Sequence, residues 1–142
     1  MELTVGYRFA VIASEYNSVI MDRLIDGAKR VLKGQQQVSV IRVPGSFELP
    51  LAAKKAAQSK KYDAIVALGC VMRGETAHFE FISASVSDGL QHVALETGIP
   101  VGFGVLTVDT VQQAMDRSGD SGNKGSEAAL TALEMIDVLG RI

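Results

Sequence analysis

Residues 64–80, AIVALGCVMRGETAHFE, decide how this chain folds. Their first part, Ala64–Leu68, is an unbroken apolar run of the kind found in parallel strands that are buried on both faces. Gly69 and Gly74 predict a loose turn after this strand, and the residues from about Ala77 to Glu96 have the apolar periodicity of a helix. A strand, a turn and a helix in this order place free backbone N–H groups at the positive end of the helix.

The rest of the chain repeats this alternation of strands and helices. Apolar runs predict three more strands, which are Phe9–Ala13, Val38–Val43 and Val101–Val108. Helical patterns and caps predict four more helices: one capped by Asn17 or Ser18 and ended by Gly34, one from the N-cap Ser46 to about Ser59, one from about Val111 to Arg117, and one that carries the apolar residues of 129–139. Short connections predict right-handed crossovers, with helices on both faces of a parallel sheet. We therefore expect one α/β domain over residues 1–142, a flavodoxin-like three-layer αβα sandwich with a four-stranded parallel sheet.

The composition argues against several classes of partner. The 142 residues include 14 Lys and Arg against 16 Asp and Glu, a net charge of −2. The cations form no basic stripe, so nucleic acid and anionic membranes are unfavourable partners, and no apolar run approaches the ~18 residues of a membrane span. The N-terminal residues lack the basic start of a secretion signal, and a single cysteine fits a reducing compartment. We therefore expect a cytoplasmic protein.

His78 is the residue in the opening stretch that could move protons. A lone histidine is usually a surface or capping residue, but this one falls in the first turn of the predicted helix, where backbone N–H groups attract an anion. Imidazole can accept and donate a proton near neutral pH. We therefore interpret the turn and His78 as a site for a small phosphorylated substrate that gains or loses protons. The second histidine, His92, lies in the middle of the helix and is interpreted as structural.

A second anion-binding feature lies nearer the C-terminus. Arg117 and Lys124 bracket a polar, glycine-rich loop, and residues 122–125 have the sequence GNKG. Cations at helix ends are common on protein surfaces. An arginine upstream of GNKG is a more specific pattern, and it predicts a cationic loop that can close on a phosphate.

Aromatic residues accompany several of the predicted strands. Phe47 and Glu48 follow the second strand, Tyr16 follows the first, and Phe103 lies in the fourth. Because the carboxyl ends of parallel strands meet at one edge of a sheet, aromatics there suit a flat heterocycle that stacks on their rings. For the PGSFE segment (44–48), a turn followed by a capped helix is an equally good interpretation.

The glycines and the cysteine belong to the same region. Eight of the 14 glycines fall at positions 69, 74, 98, 102, 104, 119, 122 and 125. Their place between elements predicts backbone that approaches a ligand, and Gly102 and Gly104 leave one face of the fourth strand without side chains. Cys70 lies next to the expected cleft, but no basic residue is placed to activate it. We interpret it as a small packing residue.

Four motifs stand in a fixed order along the chain: VPGSFELP (43–50), GCVMRGETAHFE (69–80), FGVLT (103–107) and DRSGDSGNKG (116–125). In this order and spacing they resemble the lumazine synthase family of riboflavin biosynthesis, and the resemblance runs from Phe9 to the last helix. It implies a transferase that condenses 5-amino-6-(D-ribitylamino)uracil with 3,4-dihydroxy-2-butanone 4-phosphate. The implied products are 6,7-dimethyl-8-ribityllumazine, phosphate and water. No metal or redox cofactor is implied, in agreement with the absence of a metal-ligand cluster from the sequence.

The resemblance also implies roles by matching position. His78 would transfer protons, and Tyr16 would stack on the pyrimidine ring. The ribitylaminouracil would also contact Ser46, Phe47, Glu48, Cys70, Val71, Met72 and Phe103. The butanone phosphate would contact Glu75, Thr76, Arg117 and Lys124, with Arg117 on the phosphate. Phe103, Arg117 and Lys124 would come from a neighbouring subunit, which implies a pentamer that in the family can assemble further into a shell of sixty subunits.

Three departures from the family and two other functions stay open. The family commonly has Arg-Phe-Asn where residues 15–17 of this chain are EYN. The loop after Arg117 and the segment before the first strand are also short. In the family these two regions influence whether pentamers assemble into a shell of sixty subunits, so that assembly is not decided by the sequence. A non-catalytic flavin-binding domain would explain the sheet and the aromatic cleft, but not the histidine and the cations around a phosphate-sized site. A compartment protein whose main function is assembly is the second alternative.

Overall fold

The computed structural model describes residues 6–74 and 77–142. The strands are β1 (Arg8–Ser14), β2 (Gln37–Val43), β3 (Ala64–Met72) and β4 (Val101–Val108). The helices are α1 (Ser18–Val31), α2 (Leu49–Gln58), α3 (His78–Thr97), α4 (Val111–Asp116) and α5 (Lys124–Gly140). A 3₁₀ turn, Ser46–Glu48, leads into α2. Over the described residues, no helix is long and apolar enough to cross a membrane.

All four strands pair in parallel, in the order β2-β1-β3-β4. The register aligns Val11 of β1 with Val40 of β2 and with Val66 of β3. The two central strands carry the continuous apolar runs, since Phe9–Ala13 and Ala64–Leu68 are wholly buried, whereas much of the edge strand β2 is half-buried or exposed. Parallel pairing puts the carboxyl ends of all four strands at one edge of the sheet, where ligands bind in such folds.

Helices cover both faces of this sheet. On one face α1 and α5 pack against the central strands, in a core that includes Leu24, Leu68 and Ala129. On the other face α2 and α3 form a second core, which includes Ile12 and Leu49. The chain is therefore a three-layer αβα sandwich around a four-stranded parallel sheet, and the fold class expected from the sequence is confirmed.

The central strand β3 is longer than the sequence predicts. It continues to Met72 instead of ending at Leu68, because it pairs with β4 as far as Met72, which lies opposite Val108. The expectation that Gly69 begins the turn is therefore wrong, since Gly69 lies inside the strand. His78 is the first residue of α3, in the first helical turn as expected.

The glycines of β4 serve packing between elements. A Cβ on Gly102 would collide with the carbonyl oxygen of Ala128 in α5, and one on Gly104 would lie 2.6 Å from the Leu68 Cδ2. The missing side chains therefore let α5 approach the sheet closely. The interpretation that this face is open to a ligand is wrong for Gly102, which α5 covers, whereas Gly104 also lines a cavity along β4.

Two predicted helix ends also differ from the structure. The sequence predicts Ser46 as the N-cap of the second helix, but Ser46 begins the 3₁₀ turn, and α2 begins at Leu49. The Ser46 hydroxyl makes no capping bond, because it is turned towards Gly69 of β3. The first helix ends at Val31, three residues before Gly34, whose φ of 93° turns the chain towards β2.

Candidate active site

A cavity of about 210 Å³ opens at the carboxyl edge of the sheet. It is lined by Tyr16, Gly45, Ser46, Cys70, Val71, Met72, His78 and Ile82. These residues come from the loop after β1, the turn after β2, the end of β3 and the start of α3. The structure therefore brings together six of the residues that the sequence analysis assigns to one site, and it adds Gly45 and Ile82, which the sequence analysis missed.

His78 lines this cavity from the N-terminus of α3. Because the first N–H groups of a helix have no partner within the helix, this end of α3 is positive and attracts anions. A histidine at such an end can exchange a proton with a substrate whose anionic group is held there. Glu75 and Thr76, which stand three and two residues before His78 in the sequence, lie outside the described residues.

Arg73, directly after the end of β3, forms ion pairs with the start of α3 and with the residue after β4. Its Nε donates to the Asp109 carboxylate at 2.7 Å, its Nη1 donates to Glu80, and its guanidinium lies 4.5 Å from the centre of the Phe79 ring. The pKa of Glu80 is held below its ordinary value by the residue's own backbone N–H and by Arg73. Since Phe79 and Glu80 directly follow His78, these contacts also hold the histidine in position.

The cluster around Arg73 is not predictable from local sequence patterns. Two of its three partners lie in α3 and the third directly follows β4, at separations along the chain from six to 36 residues. One signal was available, namely an acidic residue, Asp109, directly after the strand that pairs with the one before Arg73. Residues 73 and 109 lie side by side because Met72 pairs with Val108 in the parallel register.

The floor of the cavity carries an unsatisfied hydroxyl. Ser46 is buried, and within the described part of the chain its Oγ has no hydrogen-bond partner. The same holds for the buried Oγ of Ser14 at the end of β1. A buried hydroxyl without a partner costs about 1–3 kcal/mol. A polar ligand in the cavity would therefore gain a hydrogen bond from Ser46 that the protein itself leaves unmade.

Cys70 lies in the wall of the cavity as a small, buried side chain. Burial raises the pKa of its thiol, and the side-chain amide of Asn17 offsets this only in part. The thiol is therefore protonated at neutral pH and unsuited to nucleophilic attack. Within residues 6–74 and 77–142, no group of three or more His, Cys, Asp or Glu side chains could hold a metal ion.

Phe47 and Glu48 lie in the 3₁₀ turn beside the cavity, but they do not line it. The side chain of Phe47 is 58% exposed. The Glu48 carboxylate folds back towards Gly45, since its Oε1 would lie 3.2 Å from a Cβ there. An exposed aromatic ring next to a polar cavity is a natural contact for a heterocycle or for a neighbouring chain.

A second cavity, of about 270 Å³, lies along β4. It is lined by Phe103, Gly104, Val105, Leu106, Thr107, Arg117 and Lys124, and it shares no lining residue with the first cavity. Because β4 is an edge strand, a second chain can approach it. Within one chain the predicted site residues therefore fall into two groups, one with His78 and one with Phe103, Arg117 and Lys124.

The two cations of the second cavity are joined through the backbone. The Lys124 N–H donates to the Arg117 carbonyl at 2.9 Å, which closes residues 117–124 into a loop. The Arg117 Nη1 donates to the Gln113 carbonyl at 3.0 Å, and the Lys124 Nζ lies 3.0 Å from the Glu127 carboxylate. Both cationic side chains are exposed beside the N-terminus of α5, an arrangement that favours a bound anion.

Comparisons with known proteins point to one family. The family model described as 6,7-dimethyl-8-ribityllumazine synthase matches residues 6–140. A curated protein of that description from Syntrophus aciditrophicus (strain SB) is 49% identical over 142 residues, which cover 96% of this chain and 92% of the relative. Another, from Nitratidesulfovibrio vulgaris (strain DP4), is 47% identical over 142 residues, which cover 96% of this chain and 91% of the relative.

Proposed function

Because the chain belongs to the 6,7-dimethyl-8-ribityllumazine synthase family, transferases of riboflavin biosynthesis, we propose its substrates and the roles of its residues. The substrates are 5-amino-6-(D-ribitylamino)uracil and 3,4-dihydroxy-2-butanone 4-phosphate, and the products are 6,7-dimethyl-8-ribityllumazine, phosphate and water. The observation that carries the proposal is the cavity at the carboxyl edge of the sheet, where Tyr16, Ser46 and His78 meet beside the positive start of α3.

The cavity around Ser46 takes the ribitylaminouracil. The ring of Tyr16 offers a face on which the pyrimidine stacks, and the unsatisfied Ser46 hydroxyl bonds its polar edge. The backbone of Cys70, Val71 and Met72 forms the wall along which the heterocycle lies. Phe47 and Glu48 hold the ribityl chain at the rim of the cavity.

His78 moves the protons of the condensation. The 5-amino group of the uracil attacks the ketone, and the tetrahedral adduct loses water to give an imine. Elimination then releases phosphate, and attack by the ribitylamino nitrogen closes the second ring with loss of a further water. The imidazole accepts a proton from the attacking amine and from the carbon skeleton, and returns protons to the leaving oxygens.

Phosphate is held by Arg117 and Lys124, together with Glu75 and Thr76, which match the family's phosphate-contacting positions in the sequence. Since Arg117, Lys124 and Phe103 lie in a cavity that shares no residue with the His78 cavity, they complete the site of an adjacent subunit. A ring of five subunits is the assembly we propose. Its support is this separation of the two cavities, and on α3 the exposed side chains of Phe81 and Leu95 are available for contact with a neighbouring subunit.

Most of the rate enhancement comes from holding the two substrates together. An amine and a ketone react without activation, so that orientation in one cavity supplies the largest effect, up to about 7–11 kcal/mol in well-oriented systems. Proton transfer by His78 adds a smaller factor. The single buried cysteine fits a reducing compartment, and we place the reaction in the cytoplasm.

The test is formation of the lumazine from the two substrates, followed by its absorbance and compared with the enzyme-free background. We expect clear acceleration by the wild-type chain. The matched variants are His78→Ala and His92→Ala, because His92 lies on the same helix with a largely exposed side chain paired to Glu96. A folded wild-type protein that only matches the background would refute the proposal, and a yellow protein without turnover would indicate a flavin-binding module instead.

A further inference from the structure

We propose that Asn123 is a positioning residue, which fixes residues 117–124 against α1 and so sets where Arg117 and Lys124 hold the phosphate group. The inference rests on the proposed function, since it concerns the phosphate half of that site. Asn123 itself lies away from the cavity wall and is 3% exposed. Its effect on a ligand is therefore exerted through the two cations.

The side-chain amide nitrogen of Asn123 donates hydrogen bonds to three backbone carbonyls. Its Nδ2 donates to the carbonyls of Ser118 at 3.1 Å and Gly119 at 3.0 Å within the loop, and to the carbonyl of Arg23 at 3.1 Å in α1. Two hydrogens serve three acceptors, so one hydrogen is shared. One buried side chain thereby connects the first residues of the loop with a helix about a hundred positions earlier in the chain.

The other half of the same amide caps the next helix. The Asn123 Oδ1 accepts the Ser126 N–H at 3.0 Å, as an N-cap residue does at the start of α5. The two functions of the side chain are therefore chemically separable. Oxygen caps the helix, while nitrogen holds the loop.

Helix α1 is shaped to receive this side chain. A Cβ on Gly27 would collide with the Asn123 amide, and a Cβ on Gly125 would collide with the carbonyl of Leu24. Arg23 strengthens the contact from the other side, because its Nε donates to the Ser118 carbonyl at 3.1 Å and its Nη1 contacts the Met115 sulfur at 3.1 Å. The Ser118 carbonyl thus receives bonds from both Arg23 and Asn123.

The positions of the two cations depend on these hydrogen bonds, because each cation is next in sequence to a residue that the bonds hold. Lys124 directly follows Asn123, and Arg117 directly precedes Ser118. The 2.9 Å bond from the Lys124 N–H to the Arg117 carbonyl then joins the two ends of the loop. When the carbonyls of Ser118 and Gly119 lose their hydrogen bonds to Asn123, the backbone of the loop can take other conformations. The two exposed cations then lose their common orientation while keeping their charge.

The decisive variant is Asn123→Ser, since serine keeps a capping oxygen but has no amide N–H groups for the three carbonyls. Its matched control is Ser126→Ala, which removes the 3.0 Å bond from the Ser126 hydroxyl to the Gly27 carbonyl at the same α1–α5 contact and leaves the loop alone. We expect Asn123→Ser to raise the KM for the butanone phosphate about tenfold, the worth of one charge-assisted contact, with a smaller change in kcat. Ser126→Ala lowers Tm and leaves that KM unchanged.

Two further measurements separate positioning from mere stability. Asn123→Ser in the Arg117→Ala background raises the KM by clearly less than tenfold, because the cation to be positioned is gone. Arg23→Met, which removes the second anchor of Ser118, moves the KM in the same direction by about two- to threefold, and it serves if Asn123→Ser does not fold. Equal KM changes in Asn123→Ser and Ser126→Ala, or full additivity with Arg117→Ala, overturn the inference.

A readout without turnover keeps this inference distinct from the proposed function. Inorganic phosphate is titrated into the assembled wild-type and Asn123→Ser proteins, and the backbone amide signals of residues 117–124 are followed by NMR. We expect saturable shifts in the wild type and about tenfold weaker binding in the variant. Equal phosphate affinities overturn the positioning role even where the wild type is active. Absence of lumazine formation, with phosphate binding that depends on Asn123, refutes the proposed reaction alone.

Discussion

The hydroxyl of Ser46 lies directly over Gly69, so that a Cβ on Gly69 would come within 2.5 Å of the Ser46 Oγ. The turn after β2 can therefore rest on the backbone of β3 with no side chain between them. Ser46 is buried there without a hydrogen-bond partner in the described part of the chain. A missing side chain in one strand thus gives a polar floor to the cavity that His78 also lines.

Gly69→Ala should damage binding of the ribitylaminouracil more than folding. The new methyl group must displace the Ser46 hydroxyl and press on the Leu49 Cδ1, 3.1 Å from its position. We expect a loss of about 1–3 kcal/mol in the free energy of unfolding, as for an overpacked core, and a raised KM for the uracil substrate. Steady-state kinetics with each substrate varied in turn is the measurement, and Gly140→Ala, where no atom lies within 4 Å of the new Cβ, is the control. An unchanged KM for the uracil substrate would show that the Ser46 hydroxyl does not take part in binding it.

His78→Ala should lower kcat by about 100-fold or less. General acid–base help by a positioned histidine is worth about 10²–10⁴-fold where proton transfer limits the rate, and we expect proximity to dominate here. The measurement is kcat under saturation with both substrates, beside His92→Ala. Complete loss of turnover in a folded His78→Ala protein would show that proton transfer dominates instead.

The sequence predicted most of the fold because its periodicity is simple. Unbroken apolar runs such as Phe9–Ala13 occur where a strand is covered on both faces, and helices between such strands leave a parallel sheet as the natural arrangement. Local patterns failed at contacts between elements. Gly69 resembles a turn residue until β4 is known to pair with it, and Gly102 resembles an open ligand contact until α5 is known to cover it.

The candidate site was predictable as a set of residues but not as an arrangement. The residues that line the His78 cavity follow predicted strands, and strand ends converge by topology alone. Sequence spacing carries no comparable information about Arg73, whose partners Glu80 and Asp109 are acids that any exposed surface could carry. Nor does it indicate that Asn123 fits against Gly27, since that contact joins two helices through a steric match.

Arg117→Ala should lower kcat/KM by more than His78→Ala does, chiefly through the KM for the butanone phosphate. We expect about a 10³-fold loss, because an arginine bonds a phosphate through two parallel N–H groups. Arg117→Lys keeps the charge without that geometry, and we expect it to recover part of the loss. Arg141→Ala is the control, since Arg141 pairs with Asp137 at the far end of α5. An unchanged KM for the phosphorylated substrate in Arg117→Ala would remove the phosphate role.

Glu80→Gln should weaken the folded state at neutral pH and much less in acid. The pKa of Glu80 is held below its ordinary value by its own backbone N–H and by Arg73. A carboxyl group with a lowered pKa stabilises the fold above its unfolded pKa of about 4.3, and this stabilisation is lost as the pH falls through the folded pKa.

We therefore expect Glu80→Gln to have a lower Tm than the wild type at pH 7, with the difference shrinking towards pH 3. The measurement is Tm across that range, beside Glu134→Gln on α5, which removes one negative charge in a different layer of the fold. A Tm difference that stays constant with pH would mean that ionisation of Glu80 plays no part in holding the start of α3.

Two damaged variants should complement each other if active sites form between subunits. His78→Ala alters the first cavity and Arg117→Ala the second, so a mixed interface can pair the intact halves of two different chains. In rings assembled at random from equal amounts, about one site in four is intact, and we expect co-refolded mixtures to recover about a quarter of the wild-type rate. Differently tagged chains and native mass spectrometry verify the mixing. Mixed rings that are only as active as the average of the two variants would mean that each site is built within one chain.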